Sequence, residues 1–117
     1  MKESAIQSHI IHFLNAALPQ HGVVMSIPNE GKRDPRTGAR MKRQGLFTGA
    51  ADLMILVDGK AMFLEVKTPT GRQTVHQERF ERTVNHAGCP YAVVRSVGDV
   101  EATLISWDVP LRARASA

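Results

Sequence analysis

Residues 49–67, GAADLMILVDGKAMFLEVK, contain two apolar runs joined at Asp58-Gly59, with Asp52 opening the first and Glu65 and Lys67 closing the second. Asp-Gly between two strand-like runs is a strong signal for a two-residue type I′ hairpin, because both central residues of that turn take positive φ. With Asp58 and Gly59 as the turn, Val57 faces Lys60, and counting outward brings Asp52 opposite Glu65. Directly opposed side chains have Cβ atoms about 4.5 to 5.5 Å apart. Lys67, two residues beyond Glu65, projects to the same side because side chains alternate along a strand. Three charged groups are therefore expected to converge at one end of an otherwise apolar sheet.

Opposed carboxylates repel, and one of them should carry a raised pKa in the metal-free protein. A divalent cation between them relieves the repulsion. Mg²⁺ or Mn²⁺ suits such a site, since hard ions prefer carboxylate and carbonyl oxygens. The Val66 carbonyl is a further candidate ligand. The alternative is that Asp52 and Glu65 lie at frayed strand ends with Lys67 as a solvated gatekeeper, as a longer turn would make them by shifting the register.

Outward from the hairpin, residues 3–18 place Ile6, Ile10, Phe13, Leu14 and Ala17 at helical spacing, and Pro19 and Gly22 end that helix. Glu3 lies one turn before Ile6 and Ile10 on the inward face, so its carboxylate can point to the same end of the sheet. It can equally serve the helix N-terminus. A strand is expected at 23–27, a basic loop at 28–48, strands at 52–57 and 60–67, and a helix at 74–87 closed by Gly88. A strand at 91–96 and a helix at 99–107 follow. Gln77, before Phe80 and Val84, is placed like Glu3, with a plain hydrogen bond at a helix start as its other reading. Both faces of the central strands are apolar, so the fold class is α/β, a mixed β-sheet flanked by α-helices. One domain over 1–108 is expected, with 109–117 a flexible tail.

The chain has 117 residues, 43% hydrophobic and 22% charged, enough for one real core. Its lone Cys89 cannot form an internal disulfide, and no Cys/His spacing of the zinc type appears. His9 and His12, one helical turn apart, lack a third ligand nearby in sequence and read as a solvated face. Nothing in MKESAIQSHIIHF suits a signal peptide and no run spans a membrane, so a cytoplasmic protein is expected. The formal net charge is +4. Lys32, Arg33, Arg36, Arg40, Lys42 and Arg43 stand against only Glu30 and Asp34 in the basic segment, while the remainder is balanced. A concentrated basic stretch beside a neutral body is the footprint of a phosphate-backbone binder, although a merely soluble loop has the same composition. The aromatics Phe13, Phe47, Phe63, Phe80, Tyr91 and Trp107 mostly fall on apolar stripes and read as core, so recognition of backbone shape is expected.

An acid opening one strand, followed by acid, any residue and lysine closing the next, resembles the PD-(D/E)xK nuclease pattern, here Asp52 and Glu65-Val66-Lys67. Around it Glu3, IPNEGKR at 27–33, GAAD at 49–52, Gln77 and VVR at 93–95 resemble the virus-type replication-repair nuclease (VRR-NUC) family over nearly the whole chain. Ala51 departs from the proline that many members carry before the metal-binding acid. The resemblance implies a restriction-endonuclease-like core, dependence on Mg²⁺ or Mn²⁺ and phosphodiester hydrolysis on DNA. It further implies a homodimer of bacterial or phage origin acting on branched DNA such as four-way junctions. Glu3, Asp52, Glu65, Lys67 and Gln77 become the expected active-site residues, with Asp52, Glu65, Val66 and Glu3 on the metal. Lys32, Arg33, Arg36, Arg40, Lys42 and Arg43 become the expected DNA grip. The competing reading is a non-catalytic DNA-binding module that keeps the fold.

Overall fold

The computed structural model describes residues 1–28 and 35–115. Its elements run α1 (Glu3–Ala17), β1 (Val23–Ser26), α2 (Pro35–Arg43), β2 (Leu53–Val57), β3 (Lys60–Val66), α3 (Val75–His86), β4 (Tyr91–Val94) and α4 (Val97–Ser106). The strands form one sheet in the order β1-β2-β3-β4. β1/β2 and β2/β3 are antiparallel and β3/β4 is parallel, so the sheet is mixed and the molecule is α/β.

The hairpin has the expected register, with Val57 facing Lys60 and Leu53 facing Leu64. Asp58 and Gly59 take φ of 50° and 77°, the left-handed values a type I′ turn requires. Parallel strands cannot be joined by a tight turn. The chain accordingly leaves β3, crosses as α3 and returns as β4.

Strand alternation sorts the side chains into two layers. Leu53, Ile55, Val57, Met62, Leu64 and Val66 pack with Ile6, Ile10, Phe13 and Leu14 of α1 and with Val100 and Leu104 of α4. On the opposite face a smaller cluster joins Ala50, Ala51 and Tyr91 to Phe80 and Val84 of α3, with Phe63 and Val93 against it. α1 stops where expected. Leu18 precedes Pro19 and is extended, at φ −64° and ψ 149°, because the proline ring excludes the helical region for the residue before it.

Three expectations need correction. The segment expected as a loop over 28–48 contains α2, none of whose residues is buried. PRTGARMKR has no apolar stripe, so hydrophobic periodicity had nothing to detect. Pro35 stands at the helix start, where its missing N–H is harmless. At the other end Gly45 takes φ 101°, its N–H donating to the Lys42 carbonyl and that of Leu46 to the Met41 carbonyl. These two bonds make a Schellman stop, and the glycine that reads as a loop breaker is the residue that closes the helix. The stretch 109–117, expected to be a flexible tail, makes core contacts over its described part. Val109 is buried, Leu111 and Ala113 pack on the main core, and Arg112 N–H donates to the Ala17 carbonyl at 2.8 Å. The last helix also begins earlier than expected, because Ser96 caps it by accepting from Asp99 N–H.

No described helix is long and apolar enough to cross a membrane.

Candidate active site

Carboxylate oxygens of Glu3, Asp52 and Glu65 lie within 4.8 Å of one another, the one such acidic or histidine group among the described residues. Glu3 comes from the first turn of α1, Asp52 from the residue before β2 and Glu65 from the end of β3. Asp52 is fixed from both sides. Its backbone carbonyl accepts from Ile27 N–H at 2.8 Å, and its Oδ2 accepts from Val66 N–H at 2.8 Å. The opposition that the turn geometry dictates is thus held by a hydrogen bond across the hairpin.

Glu65 is 1% exposed and Lys67 is 8% exposed, the two buried charged residues among those described. Lys67 Nζ stands 3.8 Å from Glu65 Oε2. Gln77 Nε2 donates to the same oxygen at 2.9 Å. Glu65 Oε1 is buried and faces no hydrogen-bond donor among the described residues. Burial, first, and then the neighbouring Asp52 push the Glu65 carboxyl up to about 8, against the pull of Lys67. The orphaned oxygen and the raised pKa have one origin. As a carboxylate Glu65 leaves Oε1 without a donor, whereas the protonated acid can hydrogen-bond Asp52.

Gln77 fills both roles open to it. Its Oε1 accepts from Thr74 N–H at 2.8 Å while Thr74 Oγ1 accepts from Gln77 N–H at 3.1 Å, a capping box at the start of α3. The cap also sets the chemistry. With the amide oxygen on a backbone N–H, the amide nitrogen must face outward, and it faces Glu65. Thr74-x-x-Gln77 is a capping-box pattern that the sequence itself displays.

Gly49 and Arg95, within the GAAD and VVR stretches, support the site through contacts that the sequence does not display. Gly49 has φ 83°, and a Cβ there would lie 2.4 Å from the backbone of His76 and 2.8 Å from Gln77 N. Only glycine lets the approach to β2 pass that close to the first turn of α3, the contact that brings Gln77 beside Asp52 and Glu65. Arg95 Nη1 donates to the carbonyls of Thr68 and Gly71 and ties down the loop that follows Lys67. No local sequence signal marks this bond, because it joins residues far apart in the chain.

The remaining candidates are spread more widely. Arg36, Arg40, Lys42 and Arg43 are exposed on α2. Lys32 and Arg33 lie outside the described residues, as does most of the IPNEGKR stretch. Val66 contributes its N–H to Asp52. His9 and His12 are exposed on α1 and take no part in the acidic group.

Three carboxylates, one of them buried with an orphaned oxygen, stand beside a buried lysine on a mixed sheet flanked by helices. Comparison with solved structures carries this further. One structure, described as a VRR_NUC domain protein, superposes with a TM-score of 0.69 at 15% identity over 92% of this chain and 88% of that one. A second, described as a VRR_NUC domain, superposes with a TM-score of 0.60 at 25% identity over 89% of this chain and 94% of that one. The fold is that of a VRR-NUC domain. The sequence matches no protein-family model and no curated protein.

Proposed function

We propose that this chain is a metal-dependent DNA endonuclease that hydrolyses phosphodiester bonds, with branched DNA such as four-way junctions as its preferred substrate. The observation that carries this reading is the acidic group at Glu3, Asp52 and Glu65, above all the buried Glu65 oxygen that faces no donor. Lys67 and Gln77 serve only the other oxygen, a buried carboxylate oxygen without a donor is costly, and a hard divalent cation is a partner that suits three carboxylates.

Asp52, Glu65 and Glu3, with the Val66 carbonyl, would hold Mg²⁺ or Mn²⁺. When bound, such an ion supplies Lewis acidity toward a phosphoryl oxygen and lowers the pKa of water beside it. The protein's own groups do the rest. Lys67 Nζ orients water or donates to the phosphoryl oxygens as negative charge grows on them, a role that a compact ammonium in a dry site fulfils well. Gln77 Nε2 holds the Glu65 carboxyl in place through a cap that leaves the amide no other orientation. Arg36, Arg40, Lys42 and Arg43, with Lys32 and Arg33, grip the DNA backbone. Branched-substrate preference and a homodimer follow from the resemblance to VRR-NUC proteins. A two-fold dimer would present two sites to the two-fold symmetry of a four-way junction.

The test is cleavage of labelled four-way junction, flap, linear duplex and single strand in Mg²⁺, Mn²⁺ or EDTA, with the parent protein beside Lys67→Ala. Cutting that needs the metal and disappears in Lys67→Ala is expected. Equal cutting by Lys67→Ala removes the catalytic assignment, and binding without any cutting by the parent leaves a DNA-binding module.

A further inference from the structure

Ala50 and Phe63 each stand two residues before a proposed catalytic acid, Asp52 and Glu65, so they lie within about 7 Å of those acids along the chain. From them an apolar cavity of about 330 Å³ extends toward the end of α2, walled by Ile27, Leu46, Phe47 and Phe80 as well. Phe80 meets Phe63 edge-on at 5.3 Å on one side and Phe47 edge-on at 5.3 Å on the other. The aromatic row therefore runs from beside Glu65 out to the surface. Its last ring, Phe47, is 37% exposed, the most exposed aromatic of the chain. The Arg79 guanidinium lies over that ring at 5.7 Å from the centroid. Lys42 and Arg79 share with Phe47 a second cavity of about 270 Å³.

An apolar slot by itself suits many ligands, but this one is edged by cations and opens beside the acidic centre. A ligand that complements it is flat and apolar where it enters and anionic where it stays outside. A nucleotide in a DNA strand has that form. A base in an intact duplex is held by its partner and its stacked neighbours, and taking it out is costly, least so where it is already unpaired.

Resting on the nuclease reading above, we infer that Phe47 and Arg79 form a stacking platform for an unpaired nucleobase on the same DNA as the scissile phosphate. Through it the site favours DNA in which a base beside the cut is unpaired. Stacking on an aromatic ring or a guanidinium plane tolerates any base, so the platform selects structure and not sequence. The exposed Phe47 thereby departs from the expectation that the aromatics are core.

Binding in EDTA, where cutting is blocked, separates this inference from the catalytic one. The probes are a fully paired duplex and the same duplex with a one-nucleotide bulge of the fluorescent adenine analogue aminopurine, whose emission falls on stacking. The parent should bind the bulged DNA more tightly and quench it. Phe47→Leu and Arg79→Lys should each lose roughly five- to twentyfold on the bulged DNA and less than about twofold on the paired duplex. Arg79→Lys keeps its charge at an exposed position, so its outcome does not depend on whether Phe47→Leu folds. Equal affinity of the parent for both DNAs, or losses that are absent or the same on both in Arg79→Lys, overturns the platform and leaves the nuclease reading intact. Failure to bind either DNA also overturns the platform, while the nuclease reading stands or falls separately on metal-dependent cutting.

Discussion

Met62, Leu64 and Val66 leave β3 on one side and are at most 2% exposed in a wholly apolar layer with α1 and α4. Phe63, Glu65 and the following Lys67 leave the chain on the other side, where Glu65 and Lys67 are also buried but ionisable. Burial alone does not separate the two faces. They differ in how the buried atoms are satisfied. Every inward group of the first face is apolar and gains from leaving water, at about 25 cal/mol per Å². On the second face a carboxyl is held out of water with one oxygen unpartnered, which costs stability. One face supplies stability that the other spends.

This contrast can be broken or sharpened by experiment. The largest effect should come from Glu65→Gln or Lys67→Ala, each lowering the metal-dependent cutting rate by about a thousandfold or more, the scale of losing a major electrostatic contribution in a dry site. The neighbouring Leu64→Ala should spare the rate per folded molecule and instead lower stability by about 2 to 5 kcal/mol in urea unfolding, since it opens a cavity in the apolar layer. If Leu64→Ala and Glu65→Gln changed rate and stability alike, the two faces would not be separate in function.

A pH series probes the second face directly. Glu65 titrates near 8 in the folded chain and at 4.5 when free of its surroundings. Between those values the folded state holds a proton that the unfolded state has released. Raising the pH from 4.5 to about 8 should therefore lower the melting temperature of the metal-free protein, with no penalty below that window and the full penalty above it. Mg²⁺ or Mn²⁺ should restore stability most strongly at the alkaline end, and Glu65→Gln should flatten both the slope and the metal response in calorimetric scans.

Smaller effects belong to the supports. Thr74→Ala should lower stability by about 1 kcal/mol through loss of the cap. Because the same cap orients Gln77, it should also slow cutting, and normal cutting by this variant would separate the cap from the site. Arg40→Ala on α2 should leave stability within about 0.5 kcal/mol. It should reduce the slope of log affinity against log salt by about 0.9 if that side chain neutralises one phosphate.

How far the sequence could be read followed the physics of each segment. Asp58-Gly59 fixed the hairpin, and with it the opposition of Asp52 and Glu65, because a two-residue turn leaves a single register and alternation leaves a single face. α1 was equally readable, since its buried stripe recurs at helical period. α2 was not, because none of its residues is buried and so no pattern was imposed on its composition. Thr74 and Gln77 carried a readable cap whose second use, holding Glu65, needed the approach of another element.

The sequence by itself therefore determined what local rules decide: the turn, the alternation, the helix stripes and the acids at the strand ends. The tertiary structure alone decided that Glu3 joins those acids, that Gly49 lets α3 press against them, that Arg95 anchors the loop after Lys67, and that Phe47 ends an aromatic row at the surface. Those contacts join residues distant in the chain, and their geometry is set by how helices pack across the sheet, a relation that no single stretch of sequence contains.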